Sequence, residues 1–145
     1  MTQNSDCVPP TRFLRRHPGY SETLPRTPES AAAARELART ALTAWGQDEL
    51  IEDALLIITE LVSNAVEHGR IGPIRIIVTQ PTKRFIRLGV VDRSKAIPIM
   101  RLDSNQDDVH GRGLLLVDAL SHRWGTDLYR WGKQVWGELK SKAIS

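Results

Sequence analysis

The longest helical pattern in the chain begins at Asp48 and runs for about twenty residues, some 30 Å of helix, enough to cross a small domain. In its second half Glu60, Asn64, Glu67 and His68 recur at i, i+4, i+7 and i+8, which at 3.6 residues per turn makes them one polar stripe. Leu55, Ile58, Leu61, Val62, Ala65 and Val66 lie around the other side, which must be core. A carboxylate, a carboxamide and an imidazole along one edge of a core helix are costly to desolvate unless something outside the helix pairs with them. Two readings stand at this point. The stripe either faces water on an ordinary amphipathic helix that Gly69 terminates, or it lines a site.

With 145 residues, the chain has the length of one domain with a real core. No apolar run approaches the roughly 18 residues a membrane span needs. The first twenty residues hold Arg12, Arg15 and Arg16 with Pro9, Pro10 and Pro18, and no apolar stretch of the signal-peptide kind, so the expectation is a cytoplasmic protein with no membrane partner. Cys7 is the sole cysteine, which excludes an intramolecular disulfide and suits a reducing compartment. The excess of 20 Lys and Arg over 17 Asp and Glu is spread along the chain, whereas nucleic-acid binders concentrate it on one face, so no direct nucleic-acid partner is expected.

Residues 1–18 read as a flexible arm and residues 19–145 as a single domain. Residues 19–24 read as a short edge strand. Thr27 followed by Pro28 and Glu29 opens a helix that carries Leu37, Ala41 and Leu42 and ends at Gly46. Asp48 then caps the long helix. Residues 73–80 and 84–91 are strand-like, with a turn at Pro81 and Thr82, and should pair as an antiparallel hairpin. Asp92 follows Val90 and Val91 and would be half buried; its simplest role is to start the loop after it.

Residues 93–110 lack periodicity, and so long an unpatterned loop is usually functional or disordered. It leads to Gly111, Arg112 and Gly113, and then to a helix over residues 114–120. Glycines at a helix mouth leave backbone N–H groups available to an anion, although many such glycines only make a turn. Leu116 stands where a dinucleotide fingerprint needs its third glycine, so that reading fails. Residues 123–130 and 134–139 read as two more strands, with Trp124 and Trp136 sealing one face of the sheet. The order helix, helix, hairpin, loop, helix, two strands makes an α+β fold, a two-layer sandwich whose mixed, mostly antiparallel sheet is covered on one face by helices.

Three features in this order resemble a known family. Glu60-x-x-x-Asn64-Ala65-x-x-His68 resembles the N box of the Bergerat-fold ATP-binding domains, the histidine-kinase-like group that includes type II topoisomerases and heat-shock chaperone ATPases. The Val-Val-Asp-Arg-Ser run at 90–94 resembles their first glycine box, and Gly-Arg-Gly-Leu-Leu-Leu at 111–116 the second. Trp124-Gly125, and Gly132-Lys133-Gln134-Val135-Trp136, are similar to the anti-sigma-factor protein serine/threonine kinases of the actinobacterial type.

The resemblance implies ATP and Mg2+ as cofactors. It implies that Asn64 is a Mg2+ ligand, that Glu60 orients or deprotonates the attacking hydroxyl, and that Asp92 accepts a hydrogen bond from the adenine amino group. Gly111, Arg112, Gly113 and Leu114 would meet the nucleotide, with 93–110 as a lid, and His68 either contacts phosphate or braces the helix end. The implied activity is phosphorylation of a serine on a small antagonist protein, with a sigma factor as a further partner and a homodimer compatible with it. Two departures stand out. Arg93, Ser94, Lys95 and Ala96 replace the spaced glycines of the first box, and Gln134 replaces a threonine near the adenine pocket. The degenerate box motivates the alternative of a nucleotide-binding switch that holds its partner without chemistry.

Overall fold

The structure is a computed structural model that describes residues 19–69, 72–94 and 109–142. The elements run β1 (Gly19–Leu24), α1 (Ser30–Ala44), a 3-10 turn (Asp48–Leu50), α2 (Ile51–His68), β2 (Ile74–Thr82), β3 (Phe85–Asp92), α3 (Val109–Leu120), β4 (Arg123–Tyr129) and β5 (Gly132–Lys140). The sheet has the order β1-β2-β3-β5-β4, and every pairing among the described strands is antiparallel. The sequence-expected sandwich is therefore present, with the last strand, β5, inserted between β3 and β4.

Strand alternation decides which face meets the helices. Ile74, Ile76 and Val78 of β2, Ile86, Leu88 and Val90 of β3, and Val135 and Leu139 of β5 form one buried row. Ala34, Ala38, Ala41 and Leu42 of α1, and Ala54, Ile57, Ile58, Leu61 and Val62 of α2, cover it. The alanine stripe of α1 falls at i, i+4 and i+7, which lets its axis approach its neighbours closely. Burying each of the large aliphatic side chains contributes about 1.5–3 kcal/mol, which outweighs the modest propensity of the β-branched residues for helix in α2. Among the described residues no helix is long and apolar enough to cross a membrane.

Several boundaries differ from expectation for local reasons. Helix α1 starts at Ser30, two residues after Pro28, because residues 25–29 first form a turn: Pro25 O accepts from Thr27 N at 2.9 Å and from Ser30 Oγ at 2.6 Å. Asp48 opens the 3-10 turn and makes no side-chain cap. Strand β2 continues through Pro81 and Thr82, with a register irregularity between Thr79 and Thr82 that accommodates a residue lacking an N–H, and the turn falls at Lys83 and Arg84. The tryptophans do not share a face. Trp124 pairs with Gly137 on the helix side and donates its Nε1–H to Asp118 Oδ1 at 2.9 Å, whereas Trp136 pairs with Gly125 on the open side, under Arg87. The arm at 1–18 and most of the lid, 95–108, lie outside the described residues.

Candidate functional site

Connectivity brings the end of α2, Asp92 and Lys133 to one end of the sheet. Helix α2 ends at His68, where Gly69 N–H closes on Ala65 O at 2.7 Å, and Gly72 turns the link toward β2 with a φ of 77° that favours glycine. The start of β2 pairs with the end of β3 through Arg75 and Val91, and Asp92 pairs with Lys133 at the start of β5. The C-terminal half of α2, the end of β3 and the start of β5 thus share an edge, from which the connection to α3 departs.

On α2, Glu60 and Asn64 stand one turn apart, each half-buried, and neither has a hydrogen-bond partner among the described residues. Glu67 and His68 are exposed. The stripe is therefore two kinds of position: an outer pair in contact with water, and an inner pair partly withdrawn from water with its polar atoms unspent. Half-buried polar groups without protein partners are unusual inside a packed interface and suit a ligand with hard oxygen chemistry.

Asp92 is only 2% exposed, more deeply buried than its sequence position implied. Its Oδ1 accepts the Ser94 N–H at 2.7 Å, so the turn-forming role is realised. Its counter-charge is Lys133, itself 1% exposed, whose Nζ donates to Asp92 Oδ1 at 3.1 Å, to Oδ2 at 3.2 Å and to Ser94 O at 3.0 Å. A buried ion pair recovers its desolvation cost only when the remaining donors are satisfied, and all three ammonium donors are. Lys133 was visible in the sequence as a family motif residue but not as a site residue. The available signal was parity: Lys133, Val135, Gly137 and Leu139 alternate onto the apolar face, so a lysine there needs a buried acceptor.

The same parity corrects Gln134. It lies on the face away from the helices, beside Gly89, and accepts from Tyr129 OH at 3.1 Å; the position next to Asp92 on the helix side belongs to Lys133. Gly132 permits this approach, because a Cβ there would overlap Asp92 O and stand 2.8 Å from Arg93 Cα. The open face carries a separate network. Glu138, buried, accepts from Arg87 Nη2 at 2.9 Å and Arg123 Nε at 2.8 Å, and Arg87 lies 4.0 Å from the Trp136 ring centroid. Burial pushes the Glu138 carboxyl up, but hydrogen bonds and charge from the two arginines outweigh it and hold it below its ordinary value. Tyr129 is raised, by burial first and then by Asp127.

Gly111, Arg112 and Gly113 do not precede the third helix but form part of α3, which begins at Val109. The apolar run that follows continues the helix backwards through them at the modest cost of glycine in a helix. Leu114 is buried. Among the described residues no cluster of three His, Cys, Asp or Glu side chains exists to hold a metal. A single side-chain oxygen such as that of Asn64 is compatible with Mg2+, which takes few protein ligands when phosphates supply the others. A cavity of about 140 Å3 at this end, lined by Thr23, Arg75, Val91, Asp92, Arg93 and Trp131, includes Asp92 but neither Glu60 nor Asn64.

Residues 24–136 match the histidine kinase-like ATPase domain family. Among solved structures, the chain is similar to the RsbU and RsbW domains of Rv1364c from Mycobacterium tuberculosis, with a TM-score of 0.64 and 22% identity, a likeness of fold. That match covers 88% of this chain and 35% of the other, so the chain spans about a third of its structural neighbour. No curated protein matches. With the match running over most of its length and the sheet and helices arranged as described, the chain belongs to the histidine kinase-like ATPase domain family.

Proposed function

We propose that the chain is an ATP-dependent protein serine/threonine kinase of the anti-sigma-factor type, acting on a serine of a small antagonist protein and also sequestering a sigma factor. The observation that carries this reading is the inner pair of the stripe, Glu60 and Asn64, half-buried and without hydrogen-bond partners among the described residues, on the helix that leads to the sheet end holding Asp92. In this reading Asn64 supplies an oxygen ligand to Mg2+, and the bound metal neutralises charge on the phosphates. Asp92 presents its carboxylate to the base amino group. Glu60 accepts the hydroxyl proton of the attacking serine as its oxygen bonds to the terminal phosphorus and ADP leaves.

The test is phosphate transfer from radiolabelled ATP to an antagonist co-purified from the native host. Glu60→Gln should abolish transfer while ATP binding, read by calorimetry, stays within about threefold, because the carboxamide keeps the shape and loses the base. Tight Mg-ATP binding by the wild-type chain with no transfer to any co-purified antagonist would sink the kinase reading.

One observation favours a second reading. Asp92 already carries three hydrogen bonds from Lys133 and Ser94, and Arg93 and Ser94 stand where spaced glycines would loosen the backbone. A nucleotide-binding switch that holds its partner without chemistry would use such a stiff base site equally well. Retained control of the partner by the Glu60→Gln protein distinguishes it.

A further inference from the structure

We propose that Lys133 is the residue that sets the purine preference of the site, as a positioning residue acting through Asp92; this rests on the nucleotide reading above. The geometry is restrictive. Asp92 Oδ1 accepts two bonds, from Ser94 N at 2.7 Å and Lys133 Nζ at 3.1 Å, which fill its two lone pairs. Oδ2 accepts one, from Lys133 at 3.2 Å, leaving a single acceptor direction on the whole group. Lys133 has no donor left, since its third goes to Ser94 O at 3.0 Å. The ammonium is therefore unavailable to a ligand, and its effect on one must pass through the carboxylate.

Two consequences follow for the base. First, the carboxylate is held in one rotation: turning it to follow a shifted ligand would break contacts from two different segments, the loop at Ser94 and strand β5. Second, the buried counter-charge lets Asp92 stand as an acceptor-only anion at 2% exposure. A fixed acceptor with one open direction pairs with a single N–H donor, such as the 6-amino group of adenine. A 6-oxo purine instead presents an acceptor there. Removing the ammonium while keeping the hydrocarbon stem leaves a carboxyl group buried without a counter-charge. Such a group takes up a proton or rotates, and in either state it tolerates a 6-oxo base.

The experiment measures binding of ATP and of inosine triphosphate, both with Mg2+, to the full chain by calorimetry. The two ligands differ at the 6-position and the adjacent ring nitrogen. A mispaired buried acceptor corresponds to roughly ten- to a hundredfold in affinity, so the wild type should prefer ATP by at least about tenfold. In Lys133→Met that ratio should fall below about threefold, chiefly because inosine triphosphate binds better relative to ATP. A purely structural lysine would weaken both nucleotides by one factor and leave the ratio unchanged, and that result overturns the proposal. Should Lys133→Met fail to fold, the double variant Lys133→Met/Asp92→Asn removes the unpaired charge while keeping the shape; its carboxamide can turn either its oxygen or its nitrogen to the base, so the ratio should again collapse, and a preserved ratio again refutes the role. Failure of the wild type to bind either nucleotide removes the nucleotide reading itself, and is told apart from a wild type that binds ATP with a ratio insensitive to Lys133.

Discussion

Gly132→Ala is the smallest change that strikes the surroundings of Asp92, the proposed base site, without touching a polar atom. An ordinary Cβ contact begins at 3.4 Å, whereas Arg93 Cα stands 2.8 Å from the position a Cβ would take and Asp92 O overlaps it outright. The obstacles are backbone atoms, so relief requires β5 and the end of β3 to part by at least about 0.6 Å where Asp92 meets Lys133. Overpacking against an element that cannot yield costs about 1–3 kcal/mol, and two backbone clashes put this case in the upper half of that range. The melting temperature should fall by roughly 5–12 °C. ATP affinity should fall by about tenfold or more, because the carboxylate moves with the strand. Gly89→Ala, one strand position of the same sheet, is the control: the atoms nearest its Cβ belong to the flexible side chain of Gln134 rather than to backbone, so its cost should stay within about 1 kcal/mol and ATP binding should be unchanged. Differential scanning fluorimetry and calorimetry on the three proteins read both effects. If Gly132→Ala melts and binds like Gly89→Ala, the close approach of β5 to Asp92 does not have the importance assigned to it.

Asn64→Ala should remove the dependence of nucleotide affinity on Mg2+ while leaving the fold intact, since Asn64 is half-buried and bonds to no described residue; titrations of ATP with Mg2+ and with chelator measure it, and a persistent metal effect counts against the ligand role. Glu138→Gln should lower stability at neutral pH by about 1–2 kcal/mol, mostly through Arg87, because Arg123 is well exposed. The folded-state carboxyl lies below its ordinary value of 4.5, so its contribution is complete above that value and is lost as pH falls through the lower folded value. Urea midpoints of the two proteins should therefore differ at pH 7 and converge as pH drops below about 4.5; a gap that does not depend on pH refutes this linkage.

The parts of the fold legible in the sequence are those governed by local periodicity. Residues 19–24 emerge as β1 with the expected bounds, and α2, β3 and β5 fall within a residue or two of expectation, because alternation and the 3.6 period are properties of neighbouring residues. What stayed hidden depends on register between distant strands. Trp124 and Trp136 each read as a sheet tryptophan, but only the pairing of β4 with β5 shows that they face opposite ways. Lys133 was legible only as a motif residue because its acceptor lies 41 residues earlier. In the site, the stripe was legible as a pattern, and its division into an inner pair and an outer pair needed the packing of α2 against the sheet. The start of α3 was missed because glycine spacing reads as a helix mouth until the apolar residues behind it are seen to extend the helix.

The insertion of β5 between β3 and β4 also has a meaning in time. A chain made from its N-terminus exposes the β3 edge, and the carboxylate of Asp92 with it, until more than forty further residues have been added and β5 can dock. A partly made chain that has passed Asp92 but not reached Lys133 has the stripe of α2 and the acid of β3 but no counter-charge for that acid. The β4–β5 hairpin at once covers the exposed strand edge and neutralises the buried carboxylate, so the ion pair at Asp92 forms together with the closing of the sheet. A chain cut short before Lys133 is incomplete in both respects for a single reason.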